Sequence, residues 1–262
     1  LNLNEGLAPW VWGENAARIQ RESIWEDNQG EGVPIPPHKP TYPSSMPDIQ
    51  TPFGGSKDFG SPLIVDLDGD GVEATTFNAA TTTTFFDLNN DGFAEQTAWV
   101  GAHDGLLARD VNENGTIDNA SELFGSLTVD GFAALAQLDS NGDLLINSSD
   151  SAWSELLIWN DANGDAISEG SEQHALSYYN ITSINLAGVT SSTSTVNGNP
   201  ISHTSTVVKN GSIAAIADVW FAHDHMNTAY QGDYDLDPRV LFLPTLRGFG
   251  TMPDLHAAMS QH

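Results

Sequence analysis

The sequence predicts an α+β fold in which EF-hand-like loops and short helices pack on small antiparallel β-sheets. Three observations support this class. Clusters of Asp, Asn and Gly recur at fairly even spacing over residues 66–172, and apolar residues with helical spacing flank the later clusters. Residues 181–223 contain runs that look like β-strands.

Composition limits the classes of partner. The 262 residues include 35 Asp and Glu but 8 Lys and Arg, so the formal net charge is −27. This charge argues against nucleic acid and anionic membrane surfaces as partners and favours cations. The chain contains no cysteine, which excludes disulfides and thiolate metal sites. No stretch approaches the roughly 20 apolar residues of a membrane span, so we predict none.

Four segments follow one another along the chain. Residues 1–32 are predicted to form an N-terminal helical segment. Residues 33–61 form a Pro-rich linker, because proline density of this kind prevents both helix and sheet. Residues 62–180 carry the EF-hand-like loops, and residues 181–262 form a β-rich segment with a C-terminal tail. We expect this chain to be a piece of a longer protein, whose other domains would be its partners.

The β-rich segment contains three strand-like runs, ITSINLAG, PISHTSTVV and SIAAIADVWF. Asn210 and Gly211 lie between the second and third runs. Because Asn-Gly tolerates the positive φ angles of a tight hairpin turn, this pair predicts a β-hairpin. A further helix is predicted near residues 254–261.

Five stretches in the central segment place oxygen donors at alternate positions after an opening aspartate. They contain 18 of the 35 acidic residues, so the negative charge is concentrated there. We number these stretches loop 1 (66–73), loop 2 (87–95), loop 3 (110–122), loop 4 (139–150) and loop 5 (161–172).

The spacing of the donors matches the coordination of calcium. Calcium takes six to eight oxygen ligands, and one loop can supply them from positions 1, 3 and 5, a carbonyl at 7 and a carboxylate near 12. Without a cation, carboxylates this close would repel one another. The absence of cysteine and the scarcity of histidine near the loops disfavour zinc and copper. Three to five Ca²⁺ ions are therefore the predicted cofactors.

The loops differ in how well they fit this pattern. Loops 4 and 5 have acidic residues at positions 1, 5 and 12, loop 3 closes one position late, and loops 1 and 2 need Glu73 or Glu95 to complete them. Leu144 and Ala166 occupy position 6, where a positive φ favours glycine. The predicted ligands are Asp66, Asp68, Asp70, Glu73, Asp87, Asn89, Asp91, Glu95, Asp110, Asn112, Asn114, Thr116, Asp118, Glu122, Asp139, Asn141, Asp143, Leu145, Asp150, Asp161, Asn163, Asp165, Ile167 and Glu172.

The flanks of loops 4 and 5 predict helices. VDGFAALAQL (129–138) precedes loop 4, SAWSELLIW (151–159) separates the two loops, and EQHALSYY (172–179) follows loop 5. This alternation is the arrangement of paired EF-hands. Loops 1 and 2 are instead expected between strands. The alternative is that such clusters are ordinary surface turns.

Several segments carry a family resemblance. SPLIVDLDGDGVE, FFDLNNDGFAEQTAWV, DGLLARDVNENGTIDNASELFG and LAQLDSNGDLLIN resemble the calcium-binding, self-processing-type module of RTX proteins that type I systems secrete, the iron-regulated meningococcal group. The resemblance covers roughly residues 61–260. It implies a secreted module that folds on extracellular Ca²⁺.

The resemblance also implies calcium-triggered cleavage of an Asp–Pro bond, but the matching bond here is Ser61–Pro62. Serine has no carboxylate to attack the carbonyl, so we predict no catalytic residue at this bond. The Asp237–Pro238 bond is expected to be an ordinary turn. Two alternative functions stay open, an autoproteolytic module and an adhesin or toxin segment that binds a glycan or a protein partner.

Overall fold

The computed structural model describes residues 61–125, 129–232 and 235–261. The predicted N-terminal helical segment and almost all of the linker lie outside these ranges. Within them the chain is mostly antiparallel β-sheet, with two short α-helices. The predicted α+β class with EF-hand helices is therefore wrong, because most segments that flank the loops pair as strands.

Twelve strands and two α-helices, interrupted by short 3₁₀ turns, form the described fold. The strands are β1 Leu63–Val65, β2 Phe85–Phe86, β3 Phe93–Thr97, β4 Gly105–Ala108, β5 Leu145–Asn147, β6 Leu157–Trp159, β7 Gln173–Ala175, β8 Ile181–Ser191, β9 Thr195–Val196, β10 Asn199–Lys209, β11 Ser212–Val219 and β12 His223–Tyr230. The helices are α1 Gly131–Leu135 and α2 Leu255–Ser260. Helix α2 confirms the helix predicted near the end of the chain.

The larger sheet has nine strands in the order β5-β8-β10-β11-β1-β4-β6-β7, and β9 pairs with β10 at its side. The smaller sheet has the order β12-β3-β2. Strand β1 lies inside the larger sheet, where it pairs antiparallel with β11 and β4. Strands from both sides of residue 180 therefore share one sheet.

Strand β1 is buried on both faces. Leu63 and Val65 pack in one hydrophobic cluster, and Ile64 packs in the other cluster. The second of these clusters contains Trp99 and Trp159, whose rings meet edge to face at 5.4 Å. An uninterrupted apolar run suits such a strand, because neither face meets water.

Two predicted helices are strands in the structure. After loop 4, a 3₁₀ turn at Trp153–Glu155 leads into β6, which pairs with β4. After loop 5, β7 pairs with β6 before another 3₁₀ turn. Short apolar segments fit either structure by periodicity alone, and here a neighbouring strand edge satisfies the backbone. The helix predicted before loop 4 is confirmed as α1, with Asp130 as its N-cap.

The predicted hairpin is confirmed. Strands β10 and β11 pair up to Lys209 and Ser212, and the two turn residues between them, Asn210 and Gly211, have φ angles of 51° and 74°. Both angles are those of the tight turn that Asn-Gly favours. Among the described residues, no helix is long and apolar enough to cross a membrane.

Candidate metal centres

The five loops share one backbone conformation despite their different flanks. In every loop, positions 4 and 6 have positive φ angles. Position 6 is glycine in loops 1 to 3, whereas Leu144 (φ 63°) and Ala166 (φ 58°) occupy it in loops 4 and 5. The expectation of a left-handed residue at position 6 is thus confirmed, and the two non-glycine residues bear its conformational cost.

The side chain of the opening aspartate accepts a backbone hydrogen bond within each loop. Its Oδ2 accepts the backbone N–H of position 6 in all five loops, at 3.2 Å in loop 1 and 2.7 Å in loop 5. The same bond joins Gly92 to Asp87, Gly115 to Asp110, and Leu144 to Asp139. The carboxylate therefore faces the interior of the loop, where a bound cation would lie.

Positions 3 and 5 turn towards the same interior. The N–H of position 5 donates to the side-chain oxygen of position 3 in every loop, and the pairs are Asp70–Asp68, Asp91–Asn89, Asn114–Asn112, Asp143–Asn141 and Asp165–Asn163. In loop 1 the three carboxylates each have an oxygen within 4.8 Å of the others. The structure thus brings these donors together.

Position 7 continues the turn in loops 2 to 5. Its N–H donates to the side chain of position 5, which fixes the peptides of Thr116, Leu145 and Ile167 at distances of 2.8–2.9 Å. In loop 3 the carboxylate of Asp118 also joins the loop, since its Oδ2 accepts from Asn114 Nδ2 at 2.7 Å.

In loops 3 and 4 the last carboxylate closes the loop, which means that it accepts backbone N–H groups from both parts of the same loop. Asp150 accepts the N–H of Ser140 at 2.9 Å and that of Asn147 at 3.0 Å, positions 2 and 9 of loop 4. Glu122 accepts from the same two positions of loop 3, at 3.2 and 3.0 Å. The extra residue in loop 3 therefore leaves its closing carboxylate in an equivalent place.

In loop 5, two tryptophan side chains donate hydrogen bonds to the opening and the closing carboxylates. Glu172 accepts the N–H of Glu169 at 3.4 Å and the indole N–H of Trp159 at 3.3 Å. Asp161, the opening residue, is fully buried and accepts the indole N–H of Trp99 at 2.7 Å. The aromatic core and loop 5 are consequently in direct contact.

Loop 2 is closed by Glu95 at position 9. Its carboxylate accepts the backbone N–H of Leu88 at 3.0 Å and the amide of Asn89 at 2.9 Å. Burial raises the pKa of Glu95 to about 7. A buried carboxylate of this kind is costly when charged unless a cation or donors compensate it.

Loop 1 is closed by a residue that sequence reasoning missed. Asp104 accepts the N–H of Leu67 at 3.1 Å and that of Glu73 at 2.6 Å, while the side chain of Glu73 is exposed. Asp104 is fully buried, and burial raises its pKa to about 7. In the sequence it is an aspartate before glycine, which indicates only a turn.

Strand pairing explains why Asp104 reaches loop 1. Asp104 directly precedes β4, and β4 pairs antiparallel with β1 at Val65 and Gly105. The start of β4 therefore lies beside the end of β1, where loop 1 begins. A cation in loop 1 would be held by residues from both strand ends.

The donor set fits calcium. The acidic and amide side chains that converge in the loops offer oxygen, and burial raises the pKa of Asp87, Glu122 and Glu172. The pKa of Asp70 is raised because it shares a hydrogen bond with Asp68 and lies beside that charge. Hard divalent cations prefer oxygen ligands of this kind, and their charge would offset the repulsion.

Two comparisons with known proteins found sequences similar to this chain. The SPM domain model matches residues 63–222. The iron-regulated protein FrpA of Neisseria meningitidis serogroup C is 39% identical over 209 residues, which make up 75% of this chain and 18% of FrpA. The chain thus spans less than a fifth of the length of that relative.

Proposed function

Because the chain belongs to the SPM domain family, we propose that it is a calcium-binding module of a large secreted RTX-type protein, stabilised by extracellular Ca²⁺. One observation carries this proposal. All five loops have left-handed residues at positions 4 and 6 and an opening carboxylate turned inwards. One conformation shared by five loops with different flanks favours one shared ligand.

Binding is coupled to folding through the larger sheet. Loop 1 follows β1, loop 3 follows β4 and loop 5 follows β6, and these three strands are neighbours in the larger sheet. Bound Ca²⁺ supplies positive charge that draws the carboxylates together. The binding free energy thereby becomes folding free energy. Extracellular modules of this kind bind calcium with Kd on the order of 10⁻⁴–10⁻³ M.

The test is calcium removal from the purified full chain. We expect isothermal titration calorimetry to give three to five ions per chain, and EGTA to lower the Tm and reduce the near-ultraviolet circular dichroism. A Tm and spectra that EGTA leaves unchanged would refute the proposal. Magnesium at the same concentration is the control, because it demands octahedral geometry and gives up its waters reluctantly.

Incubating the purified chain with Ca²⁺ tests the autoproteolytic alternative. Ser61 is fully buried, and the carboxylate of Asp237 is held by the guanidinium of Arg239 at 2.8 Å, which lowers the pKa of Asp237. Neither residue offers a free carboxyl group to its following proline. We expect the intact mass to be unchanged after days in Ca²⁺, and a fragment ending at Ser61 or Asp237 would favour the alternative.

A further inference from the structure

A buried polar cluster lies apart from the five loops. Asp130, His203 and Asp218 each place a ligand atom within 4.8 Å of the others. His203 and Asp218 are opposite each other in the β10–β11 pairing, and Asp130 is the N-cap of α1. Asp218 is fully buried, while Asp130 is half-buried.

One oxygen of Asp218 is not used by its neighbours. Its Oδ2 accepts from Ser202 Oγ at 2.8 Å and from the N–H of Gly131 at 3.3 Å. Its Oδ1 is buried and has no hydrogen-bond partner among the described residues. Leaving a buried carboxylate oxygen in this state is energetically unfavourable, so a ligand for Oδ1 is expected.

A second buried polar atom, the hydroxyl oxygen of Ser61, lies near Asp218. Ser61 is fully buried, and its Oγ also has no hydrogen-bond partner among the described residues. It lies near enough to Asp218 to lower the pKa of that carboxyl, although the two make no well-formed hydrogen bond. Gly125 packs tightly here, since a Cβ on it would lie 2.9 Å from Ser61 Oγ. The hydroxyl is therefore fixed beside Asp218.

We propose that Asp130, His203 and Asp218, with the Ser61 hydroxyl as a neutral fourth ligand, bind one first-row divalent cation such as Zn²⁺. An imidazole with carboxylates suits these metals, whereas the calcium loops offer only oxygen. The charge of a dication balances the two carboxylates. The site would tie the start of β1 to β10, β11 and the N-terminus of α1.

The titration behaviour of the cluster agrees with this arrangement. Burial raises the pKa of Asp218, and the neighbouring Asp218 raises the pKa of His203. A divalent cation at the cluster would have to compete with protons for these ligands. Metal affinity should accordingly increase with pH.

The experiment uses the full chain in excess Ca²⁺, so that the loops are occupied, and titrates it with Co²⁺ as a spectroscopic probe that Zn²⁺ then displaces. We expect one Co²⁺ per chain, with the visible absorption bands that are typical of Co²⁺ at a low coordination number. His203→Gln and Asp218→Asn should each weaken binding by at least about tenfold, the loss that even an outer-shell change causes. The matched control is His225→Gln, an exposed histidine of β12.

Absence of stoichiometric Co²⁺ binding, or equal binding by wild type and His203→Gln, would overturn the proposal, and the cluster would then be a proton-sharing group only. Circular dichroism in Ca²⁺ checks that the variants fold. Should Asp218→Asn fail to fold, Ser61→Ala and X-ray absorption of the wild-type complex replace it. A cobalt shell without a nitrogen ligand would also overturn the site.

Discussion

Loop 1 and loop 4 have the same local conformation but are closed in different ways. In both loops the N–H of position 2 donates to a carboxylate. In loop 4 the acceptor Asp150 is 10 residues from its donor, whereas in loop 1 the acceptor Asp104 is 37 residues from its donor. Loop 4 can therefore close as a local segment, but loop 1 closes only when β1 and β4 have paired.

One loop motif can therefore support either a local segment or the pairing of two distant strands. Calcium bound in loop 4 would stabilise the segment between α1 and β6, whose strand β5 lies at the edge of the larger sheet. Calcium bound in loop 1 would stabilise the pairing of two internal strands of the larger sheet. The same ion would therefore have unequal effects on stability at the two loops.

The largest expected effect comes from Asp104→Ala. The change removes the acceptor for the N–H groups of Leu67 and Glu73. Because hydrogen bonds to a charged group contribute about 1.5–3 kcal/mol each, the free energy of unfolding in Ca²⁺ should fall by about 3 kcal/mol or more. Urea denaturation measures this loss, and calorimetry should show one ion fewer.

Glu73→Ala is the matched control. Glu73 is the residue that the sequence suggests as the closing ligand of loop 1, but its side chain is exposed in the structure. We expect it to change stability by about 0.5 kcal/mol or less. If Glu73→Ala removes an ion and Asp104→Ala does not, the remote closure of loop 1 is incorrect.

Asp150→Asn should have a smaller and local effect. The amide keeps one acceptor for Ser140 or Asn147 but loses the charge, so we expect a loss of about 1–2 kcal/mol and of one ion. Ser148→Ala in the same turn is the control, since Ser148 is exposed. Loss of a second ion in Asp150→Asn would mean that loops 1 and 4 are coupled rather than independent.

Gly115→Ala isolates the backbone contribution. Gly115 has a φ of 85° and open space around its Cβ position, so the substitution costs conformational energy alone. We expect about 1 kcal/mol, seen as roughly fivefold weaker calcium binding at loop 3. Gly170→Ala, which has equal space and no positive φ, should cost less, and an equal cost at both positions would contradict the argument.

The smallest effect is on pH dependence. Folding raises the pKa of Glu95 and Asp104 to about 7, so the calcium-free folded state binds more protons than the unfolded chain. Its stability should therefore fall as pH rises from about 4.5 to about 7. In EGTA we expect a Tm a few degrees higher near the lower end of this range, and in saturating Ca²⁺ the opposite trend, because protons compete with the ion.

Asp104→Asn and Glu95→Gln should flatten this dependence in EGTA, since neither amide titrates. Thermal melts across the pH range provide the measurement. A calcium-free Tm that rises with pH would show that the two carboxyl groups are not the controlling ones.

The features that sequence alone determined are local. The alternate donors of the loops, the left-handed residues Leu144 and Ala166 and the Asn210-Gly211 hairpin depend on contacts between residues a few positions apart. Such contacts form with the same geometry wherever the segment lies in the fold, so their residue types are sufficient to predict them.

Tertiary structure alone decided the rest. The segment after loop 4 became β6 because β4 offered an unpaired edge, and the segment after loop 5 became β7 because β6 in turn offered one. No property of the two segments themselves contains these partners. Strand pairing likewise placed Asp104 beside loop 1 and set His203 opposite Asp218. Backbone hydrogen bonds between distant segments must be satisfied jointly, so the position of each partner is a property of the whole sheet.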